Sequence, residues 1–278
     1  MRAIYIGEQF INGRINNILQ LTLNRWQTWN RSNRCHLKSR PEVHYKLPNG
    51  LTNHSFLVGA ADQRAVIRVN CAYANLLGID RAREIDVLTV LAESNLVPKV
   101  LFVSEEVMVS EYINGSKLTK EMLENPYLRL QIKKKLKEIS SFNKVNEPRF
   151  NYLSHCENYV TQLSCKHLQF VNVDQLLSAA EHIDAEDWTP CLCHHDLVPE
   201  NVLVSDDGLY FLDWEYVALG HPAYDWVSVF GKKFPLDETD CGPVSRELWV
   251  LLSDFQSELD KLWRILNRKL IDTFESEK

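Results

Sequence analysis

The stretch Cys193–Leu203, CHHDLVPENVL, and the shorter stretch Leu212–Tyr216, LDWEY, decide how this chain is interpreted. The first places an aspartate and an asparagine, Asp196 and Asn201, in one short polar segment. The second ends an apolar run with another aspartate, Asp213. Asp and Asn in loops are usually turn residues, but this combination, with a hairpin that ends in a carboxylate, favours a reactive site.

The spacing of these polar residues suits phosphoryl transfer. Protein kinases carry H-R-D-x-x-x-x-N in the catalytic loop and a metal-binding aspartate further along the chain. Here HHDLVPEN supplies the histidine, aspartate and asparagine, and DWE replaces D-F-G. We predict that Asp196 is the base for an attacking hydroxyl. Asn201 and Asp213 are predicted to hold Mg²⁺ against the phosphates of ATP, because hard cations prefer oxygen ligands.

The overall composition is that of a globular protein and narrows the classes of function. The chain has 278 residues, of which 45% are hydrophobic and 24% charged, enough for two lobes. Its net charge of −6 predicts no nucleic-acid partner and no anionic membrane surface as partner. No run approaches the roughly 18 apolar residues of a membrane span, and no signal peptide is expected. The seven irregularly spaced cysteines predict free thiols and a cytoplasmic location.

The hydrophobic pattern of the N-terminal half predicts a small sheet with one helix. Short apolar or β-branched runs predict two β-hairpins, one from Ser55–Val58 and Ala65–Asn70, the other from Val100–Val103 and Val107–Ile113. Between the hairpins, Arg81–Ala92 carries apolar residues at three-residue steps, which predicts an amphipathic helix.

The remainder of the chain predicts a larger, mainly helical lobe. Helical patterns extend from Lys120 to about Ala185 and again from Ser245 to Leu270. Between them, a hairpin with its turn at Asp207-Gly208 precedes Asp213. We therefore predict three regions: a helical N-terminal extension (1–40), a β-rich N-lobe that binds nucleotide (41–114), and a C-lobe with the catalytic loop, metal site and acceptor pocket (115–278).

Residues upstream of the catalytic loop supply further parts of a kinase. Arg68 is central in its predicted strand and is positioned to hold the α- and β-phosphates of ATP. Glu84, at the start of the next helix, is the predicted partner of Arg68. The segment Pro48–Ser55 is the predicted phosphate-covering loop, although a single glycine makes it weak evidence alone. An ordinary surface ion pair remains the alternative for Arg68 and Glu84.

Taken together, these segments resemble the aminoglycoside phosphotransferase and choline kinase superfamily. The matching segments include GLTNHSFLV, VIRVN, HHDLVPENVLV and LYFLDWEYVALGHPAYDWVSV. The arginine in place of a strand lysine and the DWEY box look most like bacterial choline/ethanolamine and thiamine kinases. The resemblance implies an α+β, two-lobe fold similar to that of protein kinases, and an ATP-dependent phosphotransferase.

The same resemblance implies roles for further positions. Asn53 and Ser55 would approach the phosphates of the nucleotide. The hinge that offers backbone groups to adenine would consist of Ser110, Glu111, Tyr112 and Ile113. His194 would brace the catalytic loop rather than react, and Glu215 and Asp225 would shape the floor of the site.

The acceptor is predicted to be a small molecule that carries a hydroxyl group and a positive charge. Aromatic faces and carboxylates favour a single permanent cation, and the C-terminal half supplies both. The predicted acceptor contacts are Glu215, Tyr224, Asp225 and Trp249. Choline, ethanolamine and thiamine are alcohols of this kind.

Three alternatives remain open on the sequence. The acceptor could be an aminoglycoside or another sugar or amino alcohol. The chain could also be a catalytically silent ATP-binding regulatory protein, although Asp196, Asn201 and Asp213 are all present. Finally, Cys191, Cys193, His194 and His195 could bind zinc, but they lack the second distant pair that structural zinc sites use.

Overall fold

The structure is a computed structural model that describes Tyr5–Ile6, Gln9–Phe10 and residues 13–48, 50–142 and 148–274. The chain divides into two compact units. Unit 1 lies within Met1–Ala74 and Leu88–Asn114, and unit 2 within Asn75–Val87 and Gly115–Lys278.

Unit 1 is built on a five-stranded antiparallel sheet. Its elements are β1 (Tyr5–Ile6), β2 (Gln9–Phe10), α1 (Gly13–Asn24), β3 (Glu42–Lys46), β4 (His54–Ala60), β5 (Gln63–Val69), β6 (Val100–Val103) and β7 (Val107–Glu111). The strand order is β3-β4-β5-β7-β6, and the β1–β2 pair is separate from this sheet. Helix α2 (Arg81–Leu91) crosses the boundary between the units. Both hairpins and the helix predicted for the N-terminal half are confirmed.

Helix α1 covers one face of this sheet. Alternate residues of a strand face the same side, so Ala65, Ile67 and Val69 of β5 present one apolar surface. That surface is buried in one cluster with Ile18 and Leu19 of α1. Helix α1, which lies in the predicted N-terminal extension, therefore supplies part of the core of unit 1.

Unit 2 is mainly helical and carries two small sheets. Its elements after α2 are β8 (Ser116–Lys117), α3 (Pro126–Ser140), α4 (Tyr152–Thr161), α5 (Cys165–Leu168), α6 (Val173–Ala185), β9 (Cys191–Cys193), β10 (Val202–Ser205), β11 (Gly208–Phe211), β12 (Ala218–Gly220), α7 (Tyr224–Phe230) and α8 (Arg246–Phe274). One sheet has the order β11-β10-β8, and the other pairs β12 with β9. The predicted long C-terminal helix is confirmed as α8.

The turn of the β10–β11 hairpin lies one residue earlier than predicted. Ser205 pairs with Gly208, so the two turn residues are Asp206 and Asp207. Gly208 is the first residue of β11, and its φ of 144° is a conformation that residues with a Cβ rarely adopt. The glycine is therefore needed just after the turn rather than within it.

Two further expectations from composition can be compared with the structure. All seven cysteines are free thiols, as predicted. Within the described ranges, no helix combines the length and the apolar character that crossing a bilayer requires.

Candidate active site

The predicted catalytic loop, residues 194–201, follows strand β9 and brings Asp196 and Asn201 into contact. Pro199–Asn201 form a single 3₁₀ turn that folds Asn201 back onto the loop. The amide Nδ2 of Asn201 donates to the carbonyl oxygen of Asp196 at 2.8 Å and to Asp196 Oδ2 at 3.1 Å. Because the amide nitrogen is the donor in both bonds, Oδ1 is the Asn201 atom that can bind a hard cation.

The β10–β11 hairpin carries the third predicted residue back to the same loop. Val202 pairs with Phe211, and the N–H group of Leu212 donates to the carbonyl oxygen of Asn201 at 2.8 Å. Asp213 therefore follows directly on a residue that is hydrogen-bonded to Asn201. The hairpin brings together the two residues that the sequence predicts as metal ligands.

Two residues of these motifs have a strained backbone. His195 has a φ of 62° and Asp213 a φ of 64°, both in the left-handed region. For residues with a Cβ this conformation costs on the order of 1–3 kcal/mol and persists only where the surroundings hold it. The ring of His195 is held by Tyr152, whose hydroxyl lies 3.1 Å from Nε2. A Cβ at Gly220 would overlap with that ring, so glycine is required there.

Asp225 holds the catalytic loop through the backbone. Its carboxylate accepts the N–H groups of His194 and His195 at 2.7 and 3.1 Å. The side chain lies in the first turn of α7 and is buried. Burial raises the pKa of Asp225 to about 7, although the two N–H donors act in the opposite direction. This geometry gives Asp225 a positioning role, and its predicted contact with an acceptor stays a prediction.

His194 links the catalytic loop to the residue before Asp213. Its Nδ1 accepts the N–H group of Asp196 at 3.3 Å, so the ring proton must be on Nε2, which donates to the carbonyl oxygen of Leu212 at 2.8 Å. Burial lowers the pKa of His194 to about 4, so the ring is neutral at physiological pH. A neutral ring with both nitrogens occupied ties the loop to the hairpin.

Carboxylates converge around Asp196. Burial raises its pKa well above the usual range, and the charges of Asp213 and Glu215 act in the same direction, whereas the Asn201 hydrogen bond lowers it. Such a cluster favours a bound cation, because a positive charge would offset the repulsion between the carboxylates. Mg²⁺ typically binds one or two carboxylates together with substrate phosphates, so the oxygens of Asn201 and Asp213 fit this ion.

Glu215 and Glu84 share one arginine. Arg81 Nη1 lies 2.9 Å from Glu84 Oε2 and 3.0 Å from Glu215 Oε2. Glu84 is 0% and Glu215 4% exposed. The predicted partner of Glu84, Arg68, belongs to unit 1, and the predicted ion pair between Arg68 and Glu84 stays a prediction.

The predicted phosphate-binding residues of unit 1 lie at one end of the β4–β5 hairpin. Ser55 pairs with Arg68 across the two strands. Arg68 is buried, and its Nε donates to Asn70 Oδ1 at 3.2 Å. Asn53, just before β4, accepts the N–H group of Cys71 through Oδ1 at 3.2 Å. The structure therefore brings these side chains to the same pair of strands.

The predicted hinge begins at the end of β7. Ser110 and Glu111 are the last residues of the strand, and Tyr112 and Ile113 follow. The Glu111 side chain is turned to Lys99, whose N–H group it accepts at 3.2 Å. The predicted adenine contact uses backbone groups and stays a prediction.

The two aromatic residues predicted to contact the acceptor are buried. Tyr224 stacks on Tyr152 with ring centroids 5.4 Å apart. Trp249 is 0% exposed, and its indole N–H donates to the carbonyl oxygen of Gly231 at 3.1 Å. Neither position gains support from this geometry, because both side chains are part of the packing of unit 2.

Two further aromatic residues of unit 2, Tyr216 and Trp263, lie outside the predicted acceptor contacts and are hydrogen-bonded to each other. Trp263 of α8 donates its indole N–H to the hydroxyl of Tyr216 at 2.6 Å, and both rings are half-buried. One turn earlier on α8, the exposed Asp260 pairs with Arg264 at 2.8 Å. Asp260 also contributes to the raised pKa of Asp196. Two features of the sequence point to this group. Tyr216 belongs to the DWEY segment, and the three-residue spacing of Asp260 and Trp263 places both on the same face of a helix.

The geometry argues against the zinc alternative. Cys193 Sγ donates to the carbonyl oxygen of His221 at 3.4 Å, and both ring nitrogens of His194 are occupied. Over the described part of the chain, no group of three or more His, Cys, Asp or Glu side chains is arranged to hold a metal ion by itself.

Comparison with solved structures defines the fold. The crystal structure of choline kinase LicA from Streptococcus pneumoniae matches with a TM-score of 0.70 at 19% identity, over 93% of this chain and 92% of that one. An ADP-bound aminoglycoside phosphotransferase, APH(2'')-Ib, matches with a TM-score of 0.51 at 18% identity, over 96% and 93%. The protein has the protein-kinase-like α+β fold of these phosphotransferases, as predicted.

Sequence comparison identifies the family. The family model described as choline/ethanolamine kinase matches residues 45–234. Protein LicA of Haemophilus influenzae is 26% identical over 202 residues, which cover 70% of this chain and 59% of LicA. The chain thus spans about three-fifths of the length of that relative. It belongs to the choline/ethanolamine kinase family, and the predicted resemblance is confirmed.

Proposed function

We propose that this protein is an ATP-dependent kinase that transfers the γ-phosphoryl group to the hydroxyl of a small alcohol. The observation that carries the proposal is the contact between Asp196 and Asn201, directly beside the strained Asp213. Membership of the choline/ethanolamine kinase family supports the same class of reaction. All seven thiols are free, which fits the cytoplasmic location that the sequence predicts.

Asp196 is the proposed acceptor of the proton. Asn201 occupies its Oδ2, which leaves Oδ1 to orient and deprotonate the hydroxyl group. His194 and Asp225 keep the loop in place and do not react. When bound by Asn201 and Asp213, Mg²⁺ would neutralise charge on the phosphate oxygens.

The nucleotide contacts are proposed for residues 41–114. Arg68 supplies a positive charge for the phosphates, and Asn53 and Ser55 lie on the adjoining strand and loop. Residues Ser110–Ile113 offer backbone groups to adenine. Little covalent chemistry is needed in phosphoryl transfer, so these residues act by positioning and by neutralising charge.

The acceptor contacts are proposed for residues 115–278. Tyr216 and Trp263 present two aromatic rings, and Glu215 is the neighbour of Tyr216 in the chain. An aromatic pair beside carboxylates favours a cationic alcohol, such as choline, ethanolamine or thiamine, because the ring faces attract a positive charge. Tyr216 and Trp263 replace Tyr224 and Trp249 in this proposal.

The test is ADP release by the purified protein with ATP, Mg²⁺ and one candidate acceptor at a time. The panel contains choline, ethanolamine, thiamine, kanamycin and a neutral alcohol. Each is tested with the wild-type protein and with the Asp196→Asn variant. We expect acceptor-dependent ADP release with a cationic alcohol and almost none from the variant. Faster turnover of kanamycin would establish the aminoglycoside alternative. ATP binding without turnover of any acceptor would support the catalytically silent one.

A further inference from the structure

Arg81, at the start of helix α2, lies between two buried glutamates of unit 2. A single nitrogen, Nη1, contacts Glu84 Oε2 at 2.9 Å and Glu215 Oε2 at 3.0 Å. This nitrogen carries two hydrogens, so it can donate one to each carboxylate. The Arg81 side chain is 19% exposed, and those of Glu84 and Glu215 are 1% and 3% exposed.

This ion triad joins two segments that are far apart in the sequence. Glu215 lies two residues after Asp213, the proposed metal ligand. A second contact joins the start of α2 to the loop that follows Asp213, because Arg83 Nη1 lies 3.4 Å from the carbonyl oxygen of Val217. The loop that carries Asp213 is therefore anchored to the start of α2 by side chains.

Arg81 places a positive charge between the two buried carboxylates. Glu215 also adds to the negative charge around Asp196. The position of its carboxylate then affects how well the loop receives a cation, and Arg81 contacts this carboxylate directly. Groups that orient the ligands of a metal without touching it typically change metal affinity 10- to 100-fold when they are replaced.

We propose that Arg81 is a positioning residue that holds Glu215, and with it the Asp213 loop, in the geometry that binds Mg²⁺ with the nucleotide. The proposal rests on the proposed function. Arg81 acts through Glu215 and has no proposed contact with a reacting group. The planar guanidinium matters, because a lysine keeps the charge but not the rigid geometry of the donors.

The test is calorimetric titration of ATP into wild type and Arg81→Lys, without any acceptor, over a series of Mg²⁺ concentrations. We expect the Mg²⁺ concentration for half-maximal binding to rise about 10-fold or more in the variant. Arg129→Lys is the matched control, since Arg129 also pairs with a glutamate, Glu238, at 3.6 Å. The control should shift by less than about twofold, as is usual for replacements away from such features.

A double-mutant cycle with Glu215→Gln separates positioning from general stability. If Arg81 acts through Glu215, Arg81→Lys should add no further shift in the Glu215→Gln background. If the Arg81→Lys variant fails to fold, the Mg²⁺ dependence is measured in the double variant, because Glu215→Gln removes one of the buried negative charges. An undiminished shift in that background would overturn the proposal, as would an unchanged Mg²⁺ requirement in a folded Arg81→Lys protein. Wild type that binds no ATP at any Mg²⁺ concentration would instead refute the proposed function.

Discussion

The catalytic loop and helix α8 both supply polar side chains to the candidate site, but they hold them in different ways. In the loop, backbone and buried side chains fix each other: Asp225 binds two backbone N–H groups, and Asn201 binds Asp196. On α8, Trp263 has one hydrogen bond to Tyr216, and the Asp260–Arg264 pair is exposed. The loop can therefore change little without losing its geometry, whereas residues on the helix face can change without moving the backbone. We expect the loop to define the reaction and the helix face to define the acceptor.

The largest effect is expected at the loop. Asp196→Asn should lower turnover by about 10²- to 10⁴-fold, the range found for a positioned acid or base. Nucleotide binding should survive, because Asp196 is not a proposed ligand of the phosphates or the metal. Steady-state kinetics and ATP titration measure the two quantities separately. Near-normal turnover of the variant would remove Asp196 from the role of base.

The second effect concerns the end of the hairpin. Asp213→Ala should remove the Mg²⁺-dependent part of ATP affinity, because the amide oxygen of Asn201 is too weak a ligand to hold the ion alone. Calorimetry of ATP binding with and without Mg²⁺ measures the difference. Asp207→Ala, at the turn of the same hairpin, is the control and should bind like wild type. Equal Mg²⁺ dependence in the two variants would contradict the role of Asp213 as a ligand.

A smaller effect is expected on the helix face. Trp263→Leu should raise KM for a cationic alcohol about 2- to 30-fold, which corresponds to the usual 0.5–2 kcal/mol of a cation–π contact. Turnover should change less, because an aromatic contact binds the ground and transition states alike. Trp249→Leu is the contrasting variant: it should lower the melting temperature and leave KM nearly unchanged, since Trp249 is fully buried. The reverse pattern would return the acceptor contact to Trp249.

A change in the pH dependence of stability is expected at Asp225, which holds the loop through the backbone. Burial raises the pKa of Asp225 from 3.8 to about 7. Between these values the folded protein keeps a proton that the unfolded chain has released, so the stability contributed by this group falls as the pH rises through 7.

Urea unfolding of wild type and Asp225→Asn at several pH values measures this dependence. Wild type should lose stability relative to the variant from pH 5 to pH 8, because the asparagine side chain does not titrate. Asp254→Asn, which removes a half-buried carboxylate paired with Lys232, is the control for a simple change of charge. If the difference in the free energy of unfolding between wild type and Asp225→Asn is the same at every pH, the pKa of Asp225 is not raised.

The relative placement of the predicted catalytic residues follows from the sequence because their geometry is local. Asp196, Asn201 and Asp213 are connected by one turn and one hairpin, and both are formed by neighbouring residues. The acceptor side could not be predicted in the same way. Trp249 and Trp263 lie on nearly the same face of α8, but about 21 Å apart along its axis at 1.5 Å per residue. Which of them meets the DWEY tyrosine depends on how the helix packs.

The sequence by itself indicated the family and specified the turn and the hairpin that carry Asp196, Asn201 and Asp213, because short-range spacing specifies such elements. Only the tertiary structure decided what surrounds them. It places the carboxylate of Asp225 beneath the loop, Arg81 between Glu84 and Glu215, and Trp263 against Tyr216. Apart from the local Arg81–Glu84 pair, these contacts join residues that are between 30 and 134 positions apart in the chain. Burial and the sharing of charges depend on such long-range packing, and no local pattern of residue types specifies it.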